Sequence, residues 1–245
     1  MYESFTLKVE CTDSMAKQDV LDLYRDHALR LADFLGDAND ELLTQLRQLK
    51  QQTDFQLLFL WGAPAVGKSH LLQGLCADFH DAGKSSVYVP LDLPEVAPDL
   101  LSGLEHLDLV CLDNVDSRLG QLSWEDAIFH LFNRLRERRA SLVMSAQSAP
   151  RQTAVTLADL KSRLSWGLAY QVNPLPLQLR SEFLNRQARL RGIELSDAVL
   201  NYISSHCARD MASLLSLLDQ LDRHSLQQQR RITVPFVKQI LESEL

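Results

Sequence analysis

The sequence contains a glycine-rich motif whose spacing restricts the possible folds. Between Phe55 and Leu72 an apolar run breaks at Gly62, and after four further residues the chain continues as Gly67-Lys68-Ser69. In a phosphate-binding loop of this spacing, backbone N–H groups and the N-terminus of the next helix face an anion. A glycine turn without a ligand is the alternative. The apolar strand before the motif and the amphipathic helix after it favour nucleotide binding.

The residues of this loop have separate expected roles. Lys68 would reach the terminal phosphates of a nucleotide, and Ser69 would hold Mg²⁺. Asp113 follows an apolar strand, so we expect it to face Ser69 across the nucleotide and to be the second residue at the metal. The predicted nucleotide contacts are Gly62, Ala63, Pro64, Ala65, Val66, Gly67, Lys68, Ser69, His70 and Asp113.

The residue after Asp113 argues against rapid hydrolysis by this chain. Phosphate-loop proteins that activate the attacking water usually have an acidic residue at this position, and here it is Asn114. An amide cannot accept the proton, so we expect hydrolysis to be slow. Asp116 could replace the base only if the loop folds back, and capping a helix is the more common use of such a residue.

Apolar runs alternate with helical periodicities over the first two thirds of the chain. Besides the strand before the loop, the sequence predicts strands at Ser85–Leu91, Leu107–Leu112, Ser141–Ser145 and Ala169–Val172. This alternation is typical of an α/β fold with a parallel, doubly wound sheet, in which ligands bind at the carboxyl ends of the strands. Asn39 is predicted to cap a helix at Asp40–Lys50.

The strand signals stop after Pro176. Helical periodicity then covers Leu177–Arg191, Ser196–Cys207, Met211–Ser225 and Val234–Leu245. We therefore predict an N-terminal extension at residues 1–30, a nucleotide-binding domain at 31–175 and a small all-helical domain at 176–245.

Composition and charge exclude several classes of protein. With 245 residues and 46% hydrophobic content, the chain can bury a full α/β core and a smaller second domain. No apolar run approaches the roughly 20 residues of a membrane span, and the N-terminus lacks a signal-peptide pattern, so we expect a cytoplasmic location without membrane contact. A net charge of -7 disfavours non-specific DNA binding as the main task, although a local basic patch remains compatible with it.

Two further features have more than one interpretation. Residues 18–24 could be an extended peptide in which Gln18 forms hydrogen bonds and the leucines fill a pocket of a partner, or they could begin a helix, which the pattern alone favours. Arg163 lies just before the last predicted strand. An arginine at such an edge can stabilise phosphoryl transfer across an interface, but a single arginine is more often a surface residue.

Five segments, in this order, resemble the DnaA branch of the AAA+ ATPases. The segments are GAPAVGKSHLLQ, LDLVCLDNVD, WEDAIFHLFNRL, LADLKSRLSWGL and LDQLDRHSLQQQRRITVPFVKQIL, and the likeness runs from about Leu31 to the C-terminus. It is strongest to a regulatory member of that branch. The resemblance implies an AAA+ phosphate-loop domain followed by a helical lid. It also implies that Arg163 is an arginine finger acting in trans on ATP held by the DnaA initiator.

The resemblance further implies a cofactor and partners. It implies bound ADP (or ATP) with Mg²⁺, negative regulation of replication initiation, and tethering to the DNA polymerase sliding clamp through Gln18, Leu21 and Leu23. DNA contact would be mainly indirect, through the clamp, and self-association is a further possibility. Asp19 and Asp22 depart from the family's clamp-binding pattern.

The main alternative is a DnaA-like initiator or loader that acts on DNA, and an independent ATPase is the third possibility. DnaA initiators carry a C-terminal helix-turn-helix domain, whereas this chain ends with the lid, and its charge is acidic. Both observations favour the regulator, and Asn114 disfavours the independent ATPase. The family's sensor I corresponds to Ser145 or Gln147. Its sensor II arginine aligns with Ala212, one turn after Arg209, which leaves a nucleotide contact from the lid open.

Overall fold

The computed structural model describes residues 30–206, 211–228 and 230–242. The predicted clamp-binding residues Gln18, Leu21 and Leu23 lie outside the described residues, as does Arg209.

A parallel sheet lies at the centre of the N-terminal part. Its strands are β1 Leu57–Trp61, β2 Ser86–Pro90, β3 Leu109–Asp113, β4 Ser141–Ala146 and β5 Leu168–Gln171, in the spatial order β2-β3-β4-β1-β5. Every pairing between them is parallel. The continuously apolar sequences of β1 and β3 follow from this arrangement, because inner strands of a parallel sheet are covered on both faces.

Helices cover the two faces of the sheet. They are α1 Asp40–Leu49, α2 Lys68–Asp81, α3 Leu122–Arg138 and α4 Ala158–Leu164. Side chains alternate along β1, so Leu58 and Leu60 pack with α1 and α2, whereas Leu57 and Phe59 pack with α3 and α4. The doubly wound α/β fold predicted from the sequence is confirmed.

The C-terminal part is helical, as predicted. It contains α5 Leu177–Leu190, α6 Asp197–His206, α7 Met211–Gln228 and α8 Val234–Glu242. These helices share a separate apolar core that includes Leu184, Leu200, Leu218 and Val237. Within the described ranges, none of the helices has the length and hydropathy needed to cross a membrane.

Asn39 is the N-cap residue of α1, as predicted, but its side chain makes no capping hydrogen bond. Its carboxamide instead accepts the backbone N–H of Asn173 at 2.9 Å and donates to the Asn173 carbonyl at 3.1 Å. The Asn39 side chain therefore binds the backbone N–H and carbonyl of Asn173, just after β5, and is not available to cap the N-terminus of α1.

Candidate nucleotide-binding site

The glycine-rich loop joins β1 to α2 at the carboxyl edge of the sheet. A Cβ on Gly62 would lie 2.7 Å from the carbonyl oxygen of Val172, and one on Gly67 would lie 2.6 Å from the Phe34 ring. Gly67 also has a φ of 103°, in the left-handed region. The tight path of the loop therefore excludes larger residues at both positions.

Lys68 is buried within this loop. Its Nζ donates hydrogen bonds to the carbonyl oxygens of Gly62 at 2.8 Å and Ala63 at 2.9 Å. Burial lowers the pKa of Lys68, and the carboxylates of Asp113 and Asp116 act in the opposite direction. The amine is thus fixed at the start of α2, with two acidic groups near enough to favour its charged form.

Asp113 is buried at the end of β3, and both of its carboxylate oxygens accept hydrogen bonds from hydroxyl groups. Ser145 on β4 donates to Oδ1, and Tyr88 on β2 donates to Oδ2 at 2.7 Å. The Ser145 hydroxyl also accepts the backbone N–H of Asn114 at 3.0 Å. Three adjacent strands therefore fix the orientation of this carboxylate.

Tyr88 is a site residue that the sequence analysis missed. Burial, followed by the nearby Asp113 carboxylate, raises the pKa of its phenol far above the ordinary range, so the hydroxyl stays protonated. Hydrogen bonds with Gln73 and Ser69, which oppose this rise in pKa, connect the phenol to α2. The available signal was a tyrosine inside the otherwise apolar strand β2.

A cavity of about 390 Å³ opens beside the loop. Its lining includes the loop and the start of α2, Pro64 to His70, with the polar side chains of Gln73, Asn114 and Gln147. Apolar side chains from outside the loop also line it: Phe34, Leu35, Leu175, Phe183 and Leu215. The volume lies within the range of about 300–1,000 Å³ that is usual for small-molecule sites. The cavity can therefore take a molecule that has both an anionic group and a flat apolar part.

His70 lies on α2, as predicted, and packs against two of the aromatic rings that line the cavity. Its ring centroid is 5.6 Å from that of Phe34 and 6.5 Å from that of Phe183 on α5. Burial lowers the pKa of His70, and a neutral ring can donate from Nε2 to the Arg30 carbonyl at 3.0 Å. This histidine therefore connects the loop helix to the N-terminal segment and to the helical part.

The loops after β3 and β4 bring the remaining candidates together. Asn114 and Gln147 both line the cavity, whereas Ser145 contacts Asp113 and neither of these two residues is part of the lining. The Asp116 carboxylate accepts the backbone N–H of Gln147 at 3.2 Å. Asp116 therefore joins these two loops.

Arg163 is not among the residues that line the cavity. It lies in the last turn of α4, where its Nε donates to the side-chain oxygen of Asn133 at 3.0 Å. The guanidinium carbon lies 4.3 Å from the ring centroid of Phe129 and 5.7 Å from that of Trp166, which is 60% exposed. The structure thus places this arginine against side chains of α3 and outside the lining of the cavity.

Glu125 attaches the helix that carries Arg163 to α3. Its buried carboxylate accepts the backbone N–H groups of Gly120 at 2.7 Å, Thr156 at 2.9 Å and Leu157 at 2.6 Å. The last two residues immediately precede α4. An acidic residue in a first helical turn is common, so the sequence pattern does not distinguish Glu125 from other such residues.

We predict that Glu125→Gln lowers the free energy of unfolding by about 1–3 kcal/mol at neutral pH, because an amide cannot accept three N–H groups as a carboxylate does. Burial acts to raise the pKa of Glu125, but the backbone hydrogen bonds outweigh it and the pKa falls below 4.5. This stabilisation is therefore present above pH 4.5 and is lost as the pH falls through the lower pKa of the folded state.

Urea denaturation of both proteins across the acid range measures this effect. The difference between parent and variant should shrink in acid. Glu137→Gln, on the exposed side of the same helix, is the control and should change little at any pH. A difference that stays constant down to pH 3 would show that Glu125 acts through packing alone.

Comparison with known proteins gives two family matches. Residues 97–171 match the bacterial DnaA ATPase domain, and residues 178–241 match the Hda lid domain. Together they cover parts of both the sheet and the C-terminal helices.

Solved structures share the fold. Domain III of the replication initiation protein DnaA from Thermotoga maritima has a TM-score of 0.75 at 18% identity, over 88% of this chain and 96% of that chain. AMPPCP-bound DnaA from Aquifex aeolicus has a TM-score of 0.64 at 18% identity, over 81% and 66%. The Thermotoga maritima RuvB Holliday junction branch migration motor has a TM-score of 0.64 at 16% identity, over 87% and 71%.

The fold and the loop define this chain as an AAA+ phosphate-loop protein with a C-terminal helical lid. Within that class, its nucleotide-binding part matches the bacterial DnaA ATPase domain and its lid matches that of Hda, so Hda is the member of the DnaA branch that this chain resembles. The resemblance inferred from the five sequence segments is confirmed.

Proposed function

We propose that this protein stimulates the hydrolysis of ATP bound to DnaA, and so limits replication initiation, while it holds ADP and is tethered to the sliding clamp. The observation that best supports this proposal is the separation of Arg163 from the cavity of its own chain. An arginine that does not line the cavity of its own chain is available to the nucleotide of a neighbour.

We further propose that the cavity holds ADP or ATP, with the phosphates at the loop and the base against the apolar side chains of the lining. The DnaA of Aquifex aeolicus was solved with AMPPCP bound. Lys68 and the loop residues from Gly62 to His70 would bind the phosphates here, and Ser69 and Asp113 would hold Mg²⁺. The apolar lining residues suit an adenine ring, which is flat and largely apolar.

The nucleotide of this chain would act mainly as a structural ligand. Asn114 occupies the position of the catalytic acid, and its amide cannot accept a proton from water. The carboxylate of Asp116 is already bonded to the backbone of Gln147. Slow intrinsic turnover then keeps the bound form long-lived.

The lid would respond to this ligand because it contributes to the cavity. Phe183 and Leu215 line the cavity, and Arg186 of α5 pairs with Asp33 at 2.6 Å. We propose residues 31–175 as the nucleotide-binding domain and 176–245 as the lid. Ligand in the cavity would stabilise their contact.

The chemistry proposed for Arg163 is charge stabilisation. Phosphoryl transfer places negative charge on the γ-phosphoryl oxygens, and a planar guanidinium can meet two of them at once. Asn133 and Phe129 hold the guanidinium at the surface before any partner arrives. Part of the entropy cost of ordering this side chain is thereby removed.

A reconstituted assay tests the whole proposal. DnaA loaded with labelled ATP is incubated with this protein and ADP, with or without clamp loaded on DNA. We expect rapid hydrolysis only when this protein and the loaded clamp are both present. Equal hydrolysis without this protein would contradict the proposal.

The clamp contact makes a separate prediction. Replacing Gln18, Leu21 and Leu23 together by alanine should abolish clamp binding in surface plasmon resonance, because the proposed contact needs the amide and both leucines. Binding of ADP should stay unchanged, since the segment precedes the core. Deleting residues 1–17 is the control and should leave clamp binding intact. Parental affinity in the triple variant would place the contact elsewhere.

An initiator or loader that acts on DNA is the second candidate. It is favoured by the match of residues 97–171 to the DnaA ATPase domain and by the likeness to a DnaA solved with single-stranded DNA. Tight, ATP-dependent binding of single-stranded DNA by this protein without the clamp would favour this function over the first.

A further inference from the structure

Tyr88 connects the two residues proposed to hold the metal ion, although it belongs to neither sequence motif. Its phenol donates to Oδ2 of Asp113 at 2.7 Å and hydrogen bonds with Ser69 and Gln73 on α2. The phenol thus lies between β3 and the loop helix. The Tyr88 hydroxyl therefore competes with a cation for the Asp113 carboxylate and the Ser69 hydroxyl.

The Asp113 carboxylate is already stabilised by neutral donors. Tyr88 bonds one oxygen, Ser145 bonds the other, and the residue is only 1% exposed. Hydroxyl donors to a carboxylate form strong hydrogen bonds. A carboxylate stabilised in this way gains less from a nearby cation than an unbonded one would.

We propose that Tyr88 makes nucleotide binding nearly independent of Mg²⁺ by occupying the carboxylate that would otherwise stabilise the metal. This inference rests on the proposed nucleotide site and adds a regulatory property to it. The protein would keep ADP when Mg²⁺ is scarce. The fraction of the protein that holds ADP would then depend on the concentration of ADP and not on that of Mg²⁺.

Calorimetric titration with ADP, in excess MgCl₂ or in excess EDTA, tests this proposal. In the parent protein we expect the two dissociation constants to differ by less than about threefold. In Tyr88→Phe, which keeps the ring but frees Oδ2, Mg²⁺ should strengthen binding by about tenfold or more, the scale of one hydrogen bond to a charged group. Ser145→Ala, which frees Oδ1, should shift the Mg²⁺ effect in the same direction.

Tyr170→Phe is the matched control, because it removes a half-buried phenol from β5 on the same sheet. It should behave as the parent does. Strong dependence on Mg²⁺ in the parent, or an unchanged or smaller dependence in Tyr88→Phe, overturns the inference. If Tyr88→Phe does not fold, the parent and Ser145→Ala decide the question by the same comparison. Absence of ADP binding in the parent under both conditions would instead overturn the proposed nucleotide site.

Discussion

Arg163→Ala and Arg163→Lys should each reduce the stimulated hydrolysis of DnaA-bound ATP by about 10³-fold or more, the lower end of the range for arginine fingers. Alanine removes the guanidinium that would meet the developing charge. Lysine supplies a point charge without the planar fork, so we expect it to fail as well. Binding of ADP and clamp should persist in both variants, because Arg163 lies outside the cavity.

Single-turnover hydrolysis of labelled ATP on DnaA, in the presence of loaded clamp, measures this loss. Lys161→Ala is the control, since it removes an exposed cation from the same helix. It should keep most of the stimulation. Parental stimulation by either Arg163 variant would exclude the trans-finger mechanism, and sequestration of DnaA would become the better explanation.

Lys68→Ala should abolish ADP binding. The amine is the cation of the loop, and its loss leaves the phosphates without their main counter-charge. A ligand at 100 times its dissociation constant stabilises the folded state by about 2.7 kcal/mol, and the variant should show none of this stabilisation.

Thermal unfolding with and without ADP measures the stabilisation of the folded state by the ligand. The comparison must be made within each protein, because Lys68 also bonds two loop carbonyls and its loss changes the unliganded protein. Lys161→Ala serves again as the control and should show the full shift. Saturable ADP binding by Lys68→Ala would contradict the proposed role. Rapid steady-state ATP turnover by the parent would contradict the structural use of the nucleotide.

The strands, the helices and the class of fold could be predicted from local sequence patterns. Apolar runs such as those before Gly62 and Asp113 form buried strands because local patterning decides which segments can be covered on both faces. The spacing of Gly62, Gly67 and Lys68 predicted the loop because its backbone path is set within a few residues. These features depend on near neighbours in the chain, and a pattern can therefore reveal them.

The contacts between residues far apart in the chain could not be predicted and became visible in the folded protein. The strand order places Tyr88 and Ser145 on either side of Asp113, although 25 and 32 residues separate them from it. Glu125 meets Thr156 across 31 residues. Parallel strands are joined by long crossovers, so the order and register of the strands determine which residues pair. The local periodicity of the sequence contains no information about these pairs. The same non-local packing explains why the Asn39 side chain binds the backbone of Asn173 and makes no capping hydrogen bond to α1.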